Sequence, residues 1–232
     1  MCAICARGGG PGVYAGVMRI KKIGILGAGR AGTALARAAA SAGIQVKIAG
    51  TRPARQMKYH LMQYAPHALA VGAGEIAEDV ELVALMVPQE DLDDVDTDSL
   101  AGVLLIDATN RWEDEPLPAW FQDSLDRGLS SSEAIAEHFS QSRVAKALNH
   151  ISHWDLDADR AVKAEAQRAL AIATDSPGDT AVVACLISQL GFTPVQLADL
   201  AQGRSLEPSG RIFNEVLGAE DLIQRISEET AR

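Results

Sequence analysis

An α/β fold, a doubly wound parallel sheet with a small C-terminal α/β lobe, is predicted by three features of this 232-residue sequence. Short unbroken apolar runs, at residues 23–26 and 82–87, read as strands buried on both faces. Helical segments alternate with them, the order that builds parallel sheets. The first run breaks at Gly27-Ala28-Gly29-Arg30-Ala31-Gly32, a G-x-G-x-x-G, and an alanine-rich helix follows over residues 33–42, stopped by Gly43. Strand, glycine turn and helix in that order make the Rossmann-type setting for a dinucleotide.

Each part of the turn has a physical task. Gly27 permits the tight bend, Gly29 leaves room for a pyrophosphate to approach the backbone, and Gly32 lets the helix pack closely on the strand. Ala28 lies inside the turn, and Arg30 and Ala31 offer backbone N–H groups at a helix end that carries partial positive charge.

A second strand at residues 44–49 ends in Gly50-Thr51-Arg52-Pro53. An acid at this position would accept hydrogen bonds from the ribose 2′-OH of NAD, and the sequence has none. Thr51 and Arg52, with Arg55 and Lys58 on the next helix, suit a 2′-phosphate instead, so the expected cofactor is NADP(H).

Further along, a helix over 57–64 stops near Pro66. A short strand over 68–72, a helical turn over 75–80 and a strand over 82–87 follow. Val87 and Pro88, at the carboxyl end of that strand, are candidates for the nicotinamide wall. Residues 90–98 read as an exposed acidic helix with an apolar stripe at Leu92 and Val95, without the patterned glycine and closing Glu of a calcium loop. A strand over 103–106 leads to Ala108, a second candidate near the nicotinamide. Residues 112–132, holding two of the three tryptophans, read as a long loop able to cover a flat substrate or to anchor itself apolarly.

Ser132 is the expected cap of a helix over 132–139. A sixth strand over 143–148 ends at Asn149 and His150, which places Asn149 beside the cofactor and makes His150 either the candidate polar or acid–base residue or a structural, hydrogen-bonded histidine. The C-terminal lobe, residues 153–232 against 19–152 for the nucleotide domain, repeats helix, strand, helix and strand at 158–169, 170–174, 180–190 and 192–197. Its last helix, over 211–226, carries an apolar face suited to packing on the lobe or on a second copy in a homodimer.

The composition narrows the classes of function. A net charge of −10 argues against nucleic acid, and no apolar run approaches the length of a membrane span, so a protein of the cytoplasm is expected. Residues 1–74 hold ten Lys or Arg and no acid, while the remainder holds eleven bases and all 31 acids, so the nucleotide half is basic. Residues 1–18 lack periodicity and read as a disordered tail, with Met18 an alternative start. Its Cys2-x-x-Cys5 has no further ligands at matching spacing, Cys185 reads as a core residue, and no metal site is expected.

The order of these pieces resembles the NADP oxidoreductase family that includes coenzyme F420-dependent NADP reductases. The resemblance rests on residues 23–32, Gly50-Thr51-Arg52, Leu85-Met86-Val87-Pro88 and Leu105-Ile106-Asp107-Ala108-Thr109-Asn110. It continues through Lys146-Ala147-Leu148-Asn149-His150, Gly191-Phe192-Thr193-Pro194-Val195 and Leu206-Glu207-Pro208. It implies NADP(H) at the strand ends, with Thr51 and Arg52 on the 2′-phosphate, and hydride transfer to a small planar redox substrate such as coenzyme F420 or a flavin. Two other functions fit the residues: an NADP-binding sensor without turnover, and an imine or hydroxyacid dehydrogenase, which a lysine facing the nicotinamide would favour.

Overall fold

The computed structural model describes residues 18–112, 114, 116–159, 162–163 and 166–230. The expected tail and its Cys2-x-x-Cys5 lie outside these residues, Met18 apart. The chain forms β1 (Lys22–Leu26), α1 (Arg30–Ser41), β2 (Gln45–Ala49), α2 (Ala54–Tyr64), β3 (Ala68–Ala70), β4 (Leu82–Leu85) and β5 (Leu104–Asp107). Then come α3 (Ala119–Asp126), α4 (Ser131–His138), β6 (Arg143–Lys146), α5 (His153–Leu156), β7 (Ala169–Ile172), α6 (Pro177–Gln189), β8 (Thr193–Gln196) and α7 (Ala219–Thr230).

The six-stranded sheet has the order β3-β2-β1-β4-β5-β6, and every pairing in it is parallel. This is the doubly wound order, reversing direction at β1 and β4, where ligands bind beyond the carboxyl ends. Both faces are covered, which is why the strands read as unbroken apolar runs. Along β4 and β5, Leu82, Ala84, Leu104 and Ile106 enter one core with α1 and α6, while Val83, Leu85 and Leu105 enter another with Phe121, Ile135 and Phe139. The two-residue period of a strand sorts them.

The C-terminal part continues from the sixth strand. β7 and β8 pair in parallel, and Lys146 and Ala173 exchange backbone hydrogen bonds of 2.8 and 3.0 Å in an antiparallel bridge. Leu170, Ile172, Val183 and Leu186 share the first core with β1 and α1. A third core gathers Ala171, Val195, Leu206, Ile212, Leu222 and Ile226.

Several local expectations are corrected. The long loop at 112–132 contains α3, which starts after Pro118 and buries Phe121 completely. Trp120 is an anchor, not a cover: its Nε1 donates to Asp93 Oδ1 at 2.7 Å and its ring stacks on His138 at 3.8 Å. The cap of α4 is Ser130, not Ser132. Ser130 Oγ accepts from Glu133 N at 3.3 Å and Glu133 Oε2 accepts from Ser130 N at 2.7 Å, a reciprocal capping box.

The acidic segment forms two 3-10 turns, Gln89–Asp94 and Asp98–Leu100, with Gln89 and Leu92 buried. The last helix begins at Ala219, because Asn214 adopts φ 60° and breaks the expected run. The helix expected over 158–169 includes residues outside those described, and its last residue is already in β7.

Candidate dinucleotide site

β1 delivers the chain to the sheet edge, and the turn that follows is shaped by sterics at each glycine. Gly27 adopts φ 123°, its N–H bonds Ala49 O at 2.8 Å, and a Cβ there would lie 2.3 Å from Met86 O. A Cβ at Gly32 would lie 1.8 Å from Gly27 O, so α1 can approach the turn only without a side chain. A Cβ at Gly29 would meet nothing within 4 Å, so its missing side chain leaves space for a ligand rather than for protein.

α1 then starts at Arg30 with no acid in its first turn and no side-chain cap. The N–H groups of Arg30, Ala31 and Gly32 precede the first intrahelical bond, which Thr33 N makes to Gly29 O at 3.0 Å. An anion fits this helix end, which combines free donors with the positive end of the dipole.

Around the turn lies a cavity of about 320 Å³. Gly27, Ala28 and Gly29 form its floor, Thr51 and Arg52 stand at the end of β2, and Val87 and Pro88 stand at the end of β4. The structure therefore brings together the glycine turn, the expected 2′-phosphate pair and the expected nicotinamide wall. Asp91, Asp94 and Asp96 line the same cavity. A phosphate here must be held against those acids by Arg52 and the helix end.

Ala108 and Asn149 do not line this cavity. Asn149 is buried, and its Nδ2 donates to Asn110 Oδ1 at 3.2 Å and to Leu206 O at 2.6 Å, tying β5 and β6 to the C-terminal segment. His150 is buried as well, which corrects its expected acid–base role. Ala171 N donates to its Nε2 at 3.1 Å, leaving Nδ1 to face Asn149 Oδ1 at 3.3 Å. Burial, and then the charges of Arg168 and Lys146, push its pKa down to about 3. The neutral ring fastens β7 to the end of β6, and both its nitrogens are engaged inside the protein, out of reach of a substrate.

Two features were not foreseen from the sequence. His60 on α2 donates from Nε2 to Ala28 O at 3.0 Å and so pins the glycine turn from the side. Beneath the site, Lys146 and Asp107 form a fully buried ion pair of 3.0 Å. Lys146 Nζ also donates to Thr109 O and Ser131 Oγ, each at 3.2 Å. Asp107 accepts from Ser132 Oγ at 2.5 Å and from Thr109 N and Oγ1 at 2.9 and 2.7 Å. Gln89 Nε2 reaches Thr109 Oγ1 at 3.2 Å, so the network links the loops after β4 and β5 to the start of α4. A lysine inside a strand pattern and an aspartate at a strand end were the available signals.

The fold defines the class: a Rossmann-type α/β protein. Residues 22–111 match the model of the family described as NADP oxidoreductase, coenzyme F420-dependent. The stretch that builds the nucleotide site is thus similar to that family, as the motifs implied, and the later motifs lie beyond the matched residues.

Hypothetical protein SMa0349 of Sinorhizobium meliloti is similar in structure over 87% of this chain and 96% of its own, with a TM-score of 0.70 and 26% identity. A protein of Arthrobacter sp. FB24, named as a candidate F420-dependent NADP reductase, is similar over 80% of this chain and 87% of its own, with a TM-score of 0.62 and 22% identity. The 3-hydroxyisobutyrate dehydrogenase of Mycobacterium tuberculosis shares the fold at a TM-score of 0.52 and 17% identity, and the match takes in 81% of this chain and 57% of that one. No curated protein matches the chain in sequence. Among the described residues no helix is long and apolar enough to cross a membrane, and no group of His, Cys, Asp and Glu could hold a metal ion.

Proposed function

We propose that the protein is an NADP(H)-dependent oxidoreductase that transfers hydride between NADPH and a planar acceptor such as a deazaflavin or a flavin. The observation that carries the reading is the meeting of Thr51 and Arg52 with the glycine turn in one cavity, with no acid at the end of β2. The N–H groups that open α1 hold the pyrophosphate, and Arg52 holds the 2′-phosphate through charge-assisted bonds. Val87 and Pro88 present an apolar wall that excludes water on the nicotinamide side. Bound NADPH supplies a hydride at its nicotinamide C4.

Transfer between two stacked rings needs orientation more than a proton-transfer residue, which agrees with a buried, neutral His150. The same economy speaks against the imine or hydroxyacid reading. Lys146, the lysine that reading would need, spends its donors on Asp107, Thr109 and Ser131 inside the protein.

Stopped-flow absorbance of NADPH bound to the protein, mixed with riboflavin and with 5-deazariboflavin, tests the proposal. Loss of the NADPH band with either acceptor is the expected result. A bound nucleotide that neither acceptor oxidises would overturn the enzyme reading in favour of a sensor.

A further inference from the structure

We infer that the acceptor's ring is received by Trp112, paired with Phe213, above the carboxyl ends of β5 and β6. The sheet edge orders the parts, the nucleotide being placed as proposed above. Thr51 and Arg52 stand at the end of β2, the glycine turn at the end of β1, and Val87 and Pro88 at the end of β4. The next positions along the edge are the ends of β5 and β6, so a ring that meets the nicotinamide from beyond β4 lies over them.

An aromatic pair, an exposed Trp112 against a half-buried Phe213, belongs to that place. Trp112 follows β5 by five residues and is 63% exposed, and its ring centroid lies 5.8 Å from that of Phe213 at an interplanar angle of 58°. Phe213 is held there from the far end of the chain, because Asn214 N donates to His150 O at 3.0 Å, just past β6. Large apolar side chains left in water at the ligand edge of a sheet mark a surface that a ligand covers.

A second, independent observation lies between this patch and the nicotinamide wall. The Glu90 side chain is 4% exposed, neither of its oxygens has a hydrogen-bond partner, and Oε1 lies 3.7 Å from Arg111 Nε. A carboxylate buried in that way depends on its counter-charge. Glu90 comes two residues after Pro88, and Arg111 immediately precedes Trp112. The contact therefore fixes the spacing between the wall behind the nicotinamide and the corner that presents the indole. The three tryptophans are not equivalent. Trp120 is spent on Asp93 and His138. Trp154, 77% exposed, sits on α5, whose C-terminal Asp157 pairs with Arg37 and so fastens it to α1.

The ligand this pair fits is a flat tricyclic heteroaromatic of the isoalloxazine or 5-deaza type, stacked on the indole. The test measures riboflavin binding to the full chain by quenching of the vitamin's own fluorescence, and NADPH binding by calorimetry, in the unmodified protein and in Trp112→Ala, Trp112→Phe and Trp154→Ala. Loss of one stacking face should weaken riboflavin about tenfold in Trp112→Ala. Trp112→Phe should recover most of that loss, Trp154→Ala should change nothing, and the NADPH affinity should hold in all three. Unchanged riboflavin affinity in Trp112→Ala would overturn the inference and leave the nucleotide reading standing. So would no riboflavin binding to the unmodified protein, or NADPH affinity lost with Trp112. Failure of the unmodified protein to bind NADPH would overturn both.

Discussion

Gly29 and Gly32 stand three residues apart in one motif, yet alanine should do opposite things at the two positions. At Gly32 the new methyl would start 1.8 Å from Gly27 O, and α1 would have to shift by more than an ångström to restore van der Waals contact. Overpacking of that kind costs on the order of 3 kcal/mol, a large share of a typical domain's stability. At Gly29 the methyl would meet no protein atom within 4 Å, and the backbone, at φ −79° and ψ −166°, is ordinary for alanine. Stability should therefore change by less than about 1 kcal/mol, the small gain in chain stiffness offsetting a slightly poorer helix cap.

The same methyl would stand where the pyrophosphate meets the backbone. Displacing one charge-assisted hydrogen bond should weaken NADPH about tenfold to a hundredfold. Urea unfolding followed by NADPH calorimetry on both variants separates the effects. A Gly29→Ala protein that binds NADPH as well as the unmodified chain would refute the placement of the phosphates. A Gly32→Ala protein of unchanged stability would refute the packing argument.

Arg52→Ala should weaken NADPH by about 1.5–3 kcal/mol and leave NADH where it was, since only the 2′-phosphate is lost to the contact; paired calorimetry checks this. His150 gives a pH dependence with a defined sign. Its folded pKa, near 3, is depressed from 6.5, so below pH 6.5 the unfolded chain takes up a proton that the folded one refuses. Stability should fall with acid down to about pH 3, by about 5 kcal/mol at most, and His150→Gln should flatten that part of a pH series of urea melts. Asp107→Asn strands the buried Lys146 charge and should cost about 3–5 kcal/mol, whereas Asp107→Leu with Lys146→Met should cost less than the two single changes added, as a double-mutant cycle would report. Ser130→Ala should cost about 1 kcal/mol in thermal unfolding, and Ser132, whose hydroxyl serves Asp107, should not behave as a cap.

The nucleotide half was legible because its signals are local. Gly27, Gly29 and Gly32 fall at a fixed spacing in one short turn, and the strands, buried on both faces, announce themselves as continuous apolar runs. The absence of an acid after β2 is likewise a local fact, and Thr51 and Arg52, which stand there, line the cavity. What was illegible depends on partners distant in sequence. His150 looks like an acid–base residue until Ala171, 21 positions later, is seen donating to its Nε2.

Lys146 reads as an oddity in a strand until Asp107 and Ser131 surround it. α3 hides in a stretch rich in proline and tryptophan because its eight residues are too few for a clear period, and only Phe121 and Ser124 in it are buried. Ser130 does carry a local signal, since Glu133 three residues on is the other half of a capping box, but Ser131 and Ser132 beside it are equally good cap residues by type.

Calorimetric titration of the unmodified chain with NADPH and, separately, with NADH tests the central claim most directly. Binding of NADPH at least about tenfold tighter than NADH is the result that a guanidinium on the 2′-phosphate predicts. Equal affinities, or no heat with either nucleotide, would contradict it.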